Sequence, residues 1–340
     1  MPRMNRILNG LGILGLAALG VMLVLLAQNW MAGGFAIPDQ FFTFTTIFLG
    51  IFIEAAPFLL LGTLASGLVE VFFKKESIQR LLPRTPFFGA LAGGLLGFLF
   101  PVCECGVVPL TRRLFHKGMA PATGIAFLLA SPVLNPIVIL STYAAYGWGP
   151  MLWLRVGLSL AIAVGVGMIF ALEEQPARLL RPMTLAPIRG ASVDAAVPAP
   201  ASSLAAKLGR ALGIAGEEFF DMGRYLIVGS LLAAFLQTLV PQGTLLALGS
   251  GPLLSVLVMM GLAVLLSICS TVDAFVSLAF VGTFTTGSIL SFLVFGPMVD
   301  IKSAMLYLQV FRRRTVVYMV LLPFLMVVLA SVFINLNVGI

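Results

Sequence analysis

Cys103-Glu104-Cys105-Gly106 and Cys269-Ser270-Thr271-Val272-Asp273 place thiols beside a carboxylate or hydroxyls inside stretches that are otherwise apolar. Ionisable groups at membrane depth are retained where a function needs them. Thiolates are soft ligands, so Cys103, Cys105 and Cys269 are candidate metal or metalloid ligands. Glu104, Thr271 and Asp273 stand next to them as further candidates for substrate binding. The competing reading is that cysteine is a small apolar residue suited to a tight turn. A Cys-x-Cys pair at a helix break, matched by a third Cys elsewhere, favours chemistry. The single histidine, His116, argues against haem, a histidine-rich zinc centre or a Ser-His-Asp triad.

The elements that must hold these residues are membrane helices. Of the 340 residues 60% are hydrophobic and 10% charged, and the mean hydropathy is +1.10, which excludes an ordinary soluble domain. Apolar runs at 10–28, 42–73, 87–111, 119–146, 150–172, 219–240, 252–281, 288–311 and 315–336 can each cross, or enter and leave, a bilayer. Three cysteines in apolar sequence make no disulfide framework. The first run has a basic start but no small-x-small cleavage site, and reads as an uncleaved helix.

Basic residues cluster at Arg3/Arg6, Lys74/Lys75/Arg80/Arg84, Arg112/Arg113/Lys117, Arg178/Arg181/Arg189 with Lys207/Arg210, and Arg312/Arg313/Arg314, while the connections 29–41, 147–150, 241–251, 282–287 and 337–340 carry none. The net charge of +7 therefore reports orientation rather than a nucleic-acid partner. With the basic clusters inside, the N-terminus is cytoplasmic, and 87–111 begins and ends on the same side. That segment must dip in and turn back at 103–106, where Pro101 and Gly106 suit a break. Arg155 is an exception to the pattern, near the outer end of 150–172. Trp30, Trp148 and Trp153 fall near outer ends, as interfacial anchors.

Two halves of the chain align. Glu54 to Leu64 matches Asp221 to Leu231 at an offset of 167 residues (54 to 221). Pro86 matches Pro252 and Cys103 matches Cys269 at 166, and Phe127–Asn135 matches Phe292–Asp300 at 165. The expected fold is all-α: a polytopic membrane protein of two inverted-topology repeats with re-entrant or broken helices, plus one extra N-terminal transmembrane helix. The divisions are 1–41 for that helix and an outer loop, 42–172 for the first repeat, 173–207 for a Pro/Ala/Ser cytoplasmic linker, and 208–340 for the second repeat.

Glu54 and Asp221, matched across the halves, and Asp300 are candidate proton-coupling groups. Arg224, three residues after Asp221, offers it a structural ion pair instead. Ser131-Pro132 and Asn135-Pro136 break one helix and expose carbonyls that line a pathway; Asp300 and Lys302 follow Pro297 in its counterpart.

Pro101 to Pro109, followed by Phe127 to Pro136, resembles the ArsP-type predicted permeases, a family that includes organoarsenical and heavy-metal efflux proteins of bacterial plasma membranes. The resemblance covers roughly residues 42–335. It implies export of trivalent, thiol-seeking species from a multi-pass protein of the inner membrane, with binding carried by Cys103, Cys105 and Cys269. Relatives carry a small residue between the cysteines where this chain has Glu104, so a cation and a neutral methylated arsenic species both remain open. The expected function is thus an alternating-access permease rather than an enzyme, with a small-molecule or ion substrate, no resident cofactor and no nucleotide-binding motif. The alternatives are a membrane thiol/disulfide redox protein, disfavoured by the strained one-residue spacing, and a membrane scaffold.

Overall fold

Residues 39–73, 75, 83, 85–99, 103–173, 176–181, 204–239 and 251–337 are described by a computed structural model. The expected N-terminal helix, Pro101, and the greater part of the linker lie outside the described residues. What is described is helical: α1 Asp39–Phe72, α2 Pro86–Leu99, α3 Glu104–His116, α4 Pro121–Leu134, α5 Pro136–Tyr146, α6 Pro150–Phe170, α7 Pro176–Leu179, α8 Leu204–Leu239, α9 Leu254–Leu266, α10 Asp273–Leu278, α11 Thr286–Met298, α12 Ile301–Val310 and α13 Arg313–Asn337. Six segments, with α4–α5 and α11–α12 each taken together, are long and apolar enough to cross a membrane. The chain is a multi-pass membrane protein.

Local chemistry sets the boundaries. Prolines open α4, α5 and α6 in the first turn, where the missing N–H removes no helical bond. Gly147, at φ 66°, closes α5, a backbone conformation that only glycine takes without strain. Asn135 and Asp300 interrupt the long helices. Each is extended and caps the next helix, Asn135 accepting from the Ile137 N–H at 2.9 Å and Asp300 from the Ser303 N–H at 2.6 Å.

Close contacts give the helix directions. Along α2, Gly93 meets Thr123 and Gly97 meets Ser131, so α2 runs parallel to α4. Along α1, Gly62 meets Gly106 and Ser66 and Glu70 meet Arg113 and Lys117, so α1 runs parallel to α3. Since α4 starts just after α3 ends, α2 leaves one end of the bundle and α3 returns to it. Ser255–Ser288 and Ala263–Gly296 likewise make α9 parallel to α11. The α4 helix is buried along its whole length and α11 along most of it, whereas α1 and α13 turn large apolar side chains outward, as lipid-facing helices do. Tyr143, Trp148 and Trp153 stack at the α5–α6 turn, with successive centroids 4.9 and 5.8 Å apart.

Candidate functional site

The start of α3 and the break between α11 and α12 bring charged groups together. Cys103 is the N-cap of α3, and Glu104 and Cys105 form its first turn. Across the bundle Asp300 caps α12 in a capping box with Ser303, and Lys302 lies in the turn it caps. Lys302 Nζ donates to Glu104 Oε1 at 3.1 Å and stands 3.4 Å from Asp300 Oδ2. Glu104, Asp300 and Lys302 are 2%, 2% and 1% exposed, so this is an ion triad sealed from water. Glu104 Oε2 has no hydrogen-bond partner, so the triad is under-satisfied.

The thiols surround it. Cys103, Cys105 and Cys269 are free, buried and part of one continuous core. The Thr271 hydroxyl donates to Cys269 Sγ at 3.5 Å. Glu104 and Cys103 lie within electrostatic range of Cys269. Among the described residues no three His, Cys, Asp or Glu side chains are arranged to hold a metal ion. In this conformation the three cysteines share a core without forming a chelate.

Other expected residues have partners of their own or stand on other helices. Ser131 donates to the Phe127 carbonyl at 2.6 Å and Asn135 caps α5, so both serve the α4–α5 break. Glu54 is half-buried on α1 and has no ion-pair partner among the described residues. Asp221 is paired with Arg224, lies 3.9 Å from Arg112, and accepts from Gln309 Nε2 at 2.8 Å. Its setting is that of the structural ion pair.

Two groups were not singled out from the residues. Arg155, 1% exposed on α6, donates through NH2 to Asp273 Oδ2 at 2.6 Å and through NH1 to the Thr142 hydroxyl at 2.8 Å. The signal was present: an arginine where the positive-inside pattern does not put one is a buried charge in search of a partner. Glu218 on α8 accepts from the Ser66 hydroxyl at 2.6 Å and lies 3.9 Å from Arg112 and 3.6 Å from Arg113. With Glu70 and Lys117, 3.3 Å apart, these residues tie α3 to α1 and α8 at the end of the bundle opposite Arg155.

Comparison with known proteins follows the same lines. The UPF0718 protein YcgR of Bacillus subtilis is 42% identical over 86% of this chain and 97% of its own length. A Streptococcus mutans protein named as a putative two-component membrane permease complex subunit is 36% identical over 84% of this chain and 92% of its own. The UPF0718 protein YraQ of Escherichia coli is 24% identical over 45% of this chain and 41% of its own. No solved structure matches the chain. Residues 40–336 match the model of the ArsP-type family, described as a predicted permease, and the chain belongs to that family.

Proposed function

We propose that the chain is an alternating-access permease of a bacterial inner membrane that moves a soft, thiophilic species, such as a trivalent organoarsenical or a heavy-metal ion, out of the cytoplasm. The observation that carries this reading is the buried Glu104–Lys302–Asp300 cluster, with Glu104 between Cys103 and Cys105 and with Cys269 in the same core as those thiols. Thiols supply soft donors, and the ion triad supplies charge that changes when a substrate or a proton arrives. Lys302 occupies the place of a bound cation, so an incoming cation must displace it, whereas a neutral thiophilic species need only exchange ligands at sulfur.

The halves act as inverted copies. Support comes from the order of elements: α1 to α6 and α8 to α13 each give a long helix, a short pair, a helix broken at Asn135 or Asp300, and a final span. The broken helices run in opposite senses. Tyr146, at the end of α5, lies against Ser277, while Phe311, just after α12, lies against Phe115 at the other end. Basic residues mark the cytoplasmic end and place the N-terminus there. Of the candidate coupling carboxylates Glu54, Asp221 and Asp300, among the described residues Asp300 stands beside the buried Lys302 ammonium. The naming of the Streptococcus mutans relative supports a second membrane component working with this chain.

The test is accumulation of arsenite derivatives, organoarsenicals and soft metal ions in cells that lack their own exporters. Cys103→Ala and Cys105→Ala cells should retain more of one species than cells with the unaltered chain. Equal retention across the panel would remove the thiol site from the mechanism.

A further inference from the structure

Asp273 and Arg155 form a second buried polar centre, joined to the Cys269 tip through the backbone, the Asp273 N–H donating to the Cys269 carbonyl at 3.1 Å. Asp273, 3% exposed, uses Oδ2 for Arg155, while Oδ1 has no partner, and the residue lines a small cavity with Ala263, Ile268, Phe292, Gly296 and Pro297. The free space is about 10 Å³, enough for one water molecule. Arg155 Nε and Ser270 Oγ are also buried without partners. Beside this centre the Tyr146 and Ser277 hydroxyls meet at 2.7 Å, joining α5 to α10. The groups facing Asp273 are Arg155 from α6, Tyr146 from α5 and Glu104 from α3, and α11 presents no titratable side chain.

We infer that Asp273 is a proton-binding site that controls the end of the bundle at the α5–α6 turn. A proton from the water at that end adds to the open Oδ1 of Asp273. The neutral carboxyl no longer balances the Arg155 guanidinium, which is left charged and buried, a state that hydration relieves. Moving α10 away from α5 and α6 admits that water and opens a path toward the thiols. Loss of the proton to the same solution restores the ion pair and closes the path. The inference rests on the permease reading for its purpose, but its chemistry does not involve the cysteines.

The test reads accessibility, with no substrate required. Ser277→Cys and, as an exposed reference, Trp148→Cys are labelled in membranes by a membrane-impermeant thiol reagent, with the modified residue identified by mass spectrometry. The ratio of the two rates cancels the reagent's own pH dependence. Between about pH 8 and about pH 5.5, a window in which buried carboxyls titrate, the ratio should rise about tenfold or more. With Asp273→Asn added, the ratio should be high at both pH values. With Arg155→Gln and Asp273→Asn together, no charge remains to hydrate, and the ratio should be low at both. A ratio independent of pH in the otherwise unaltered chain would overturn the proposal. So would an unchanged pH response after Asp273→Asn; if that variant fails to insert, a pH response surviving in the double variant overturns it equally. Cysteine variants that abolish export while this response persists would separate failure of the gate from failure of the thiol site.

Discussion

Replacing Lys302 by Met tests whether the triad is an interdependent unit. Methionine retains the length and apolar stem of the side chain while removing the charge. At contact distances of 3.1 and 3.4 Å, each attraction is about 5 kcal/mol at an effective dielectric constant of about 20. Desolvation of three groups opposes most of this. What the substitution exposes is therefore the cost of two sealed, unpaired carboxylates, about 3–5 kcal/mol. In detergent, at a fixed scan rate, about 2 °C per kcal/mol lowers the thermal midpoint of Lys302→Met by about 6–10 °C. Adding Glu104→Gln removes one orphaned charge and leaves the Asp300 cap in place, so the double variant should regain about 2 kcal/mol. A Lys302→Met midpoint within about 1 °C of the parent, or a double variant no more stable than the single one, would refute the claim that these groups are mutually dependent.

Two further outcomes concern the frame around the site. In Gly62→Ala the new Cβ would overlap backbone atoms of Gly106; α1 and α3 must separate, and the thermal midpoint should record a loss of about 2–3 kcal/mol. Gly50→Ala, on the same helix with nothing near its new Cβ, should instead gain about 0.5–1 kcal/mol. Asn135→Ala removes the acceptor for the Ile137 N–H. It should destabilise by about 1 kcal/mol and speed hydrogen exchange at the first turn of α5, whereas Asn135→Asp should retain protection.

Near-neighbour chemistry was legible in the chain, and cross-helix chemistry was not. The Asn135 and Asp300 breaks could be anticipated because proline and capping residues act on the backbone within a turn. The Asp221–Arg224 pair could be foreseen because its members lie three residues apart on one helix. The expectation that Cys103 and Cys269 converge came from the alignment of the halves. Lys302 and Glu104 are 198 residues apart, Arg155 and Asp273 118, and Ser66 and Glu218 152; no local period relates such partners. Asp273 was placed with the substrate ligands because it shares a tip with Cys269. Its side chain turns instead to a guanidinium on α6, a choice that only packing determines.

The two tips differ in what holds them, and this difference decides which one can move. The α3 helix is fixed at both ends, by Glu104 to Lys302 at its start and by Arg113 and Lys117 to Glu218 and Glu70 at its finish. Lys117 Nζ also donates to the Glu70 and Phe73 carbonyls at 2.9 and 2.7 Å. Among the described residues, the six-residue α10 makes side-chain polar contacts with other helices through Asp273 to Arg155 and Ser277 to Tyr146. Freeing α3 requires breaking two buried ionic centres in opposite halves of the bundle, whereas freeing α10 requires losing one ion pair and one hydroxyl contact. Aligned positions explain the imbalance: the counterpart of Glu104 is Ser270 and that of Lys302 is Ile137, so no second charged bridge joins α10 to α5. An element with so few ties opens at the lowest free energy. On the permease reading proposed above, α10 is thus the element of the Cys269 half expected to loosen, while residues 266–270 stay tied by Gln237 to the Leu266 carbonyl and by the Ile301 N–H to the Ser267 hydroxyl.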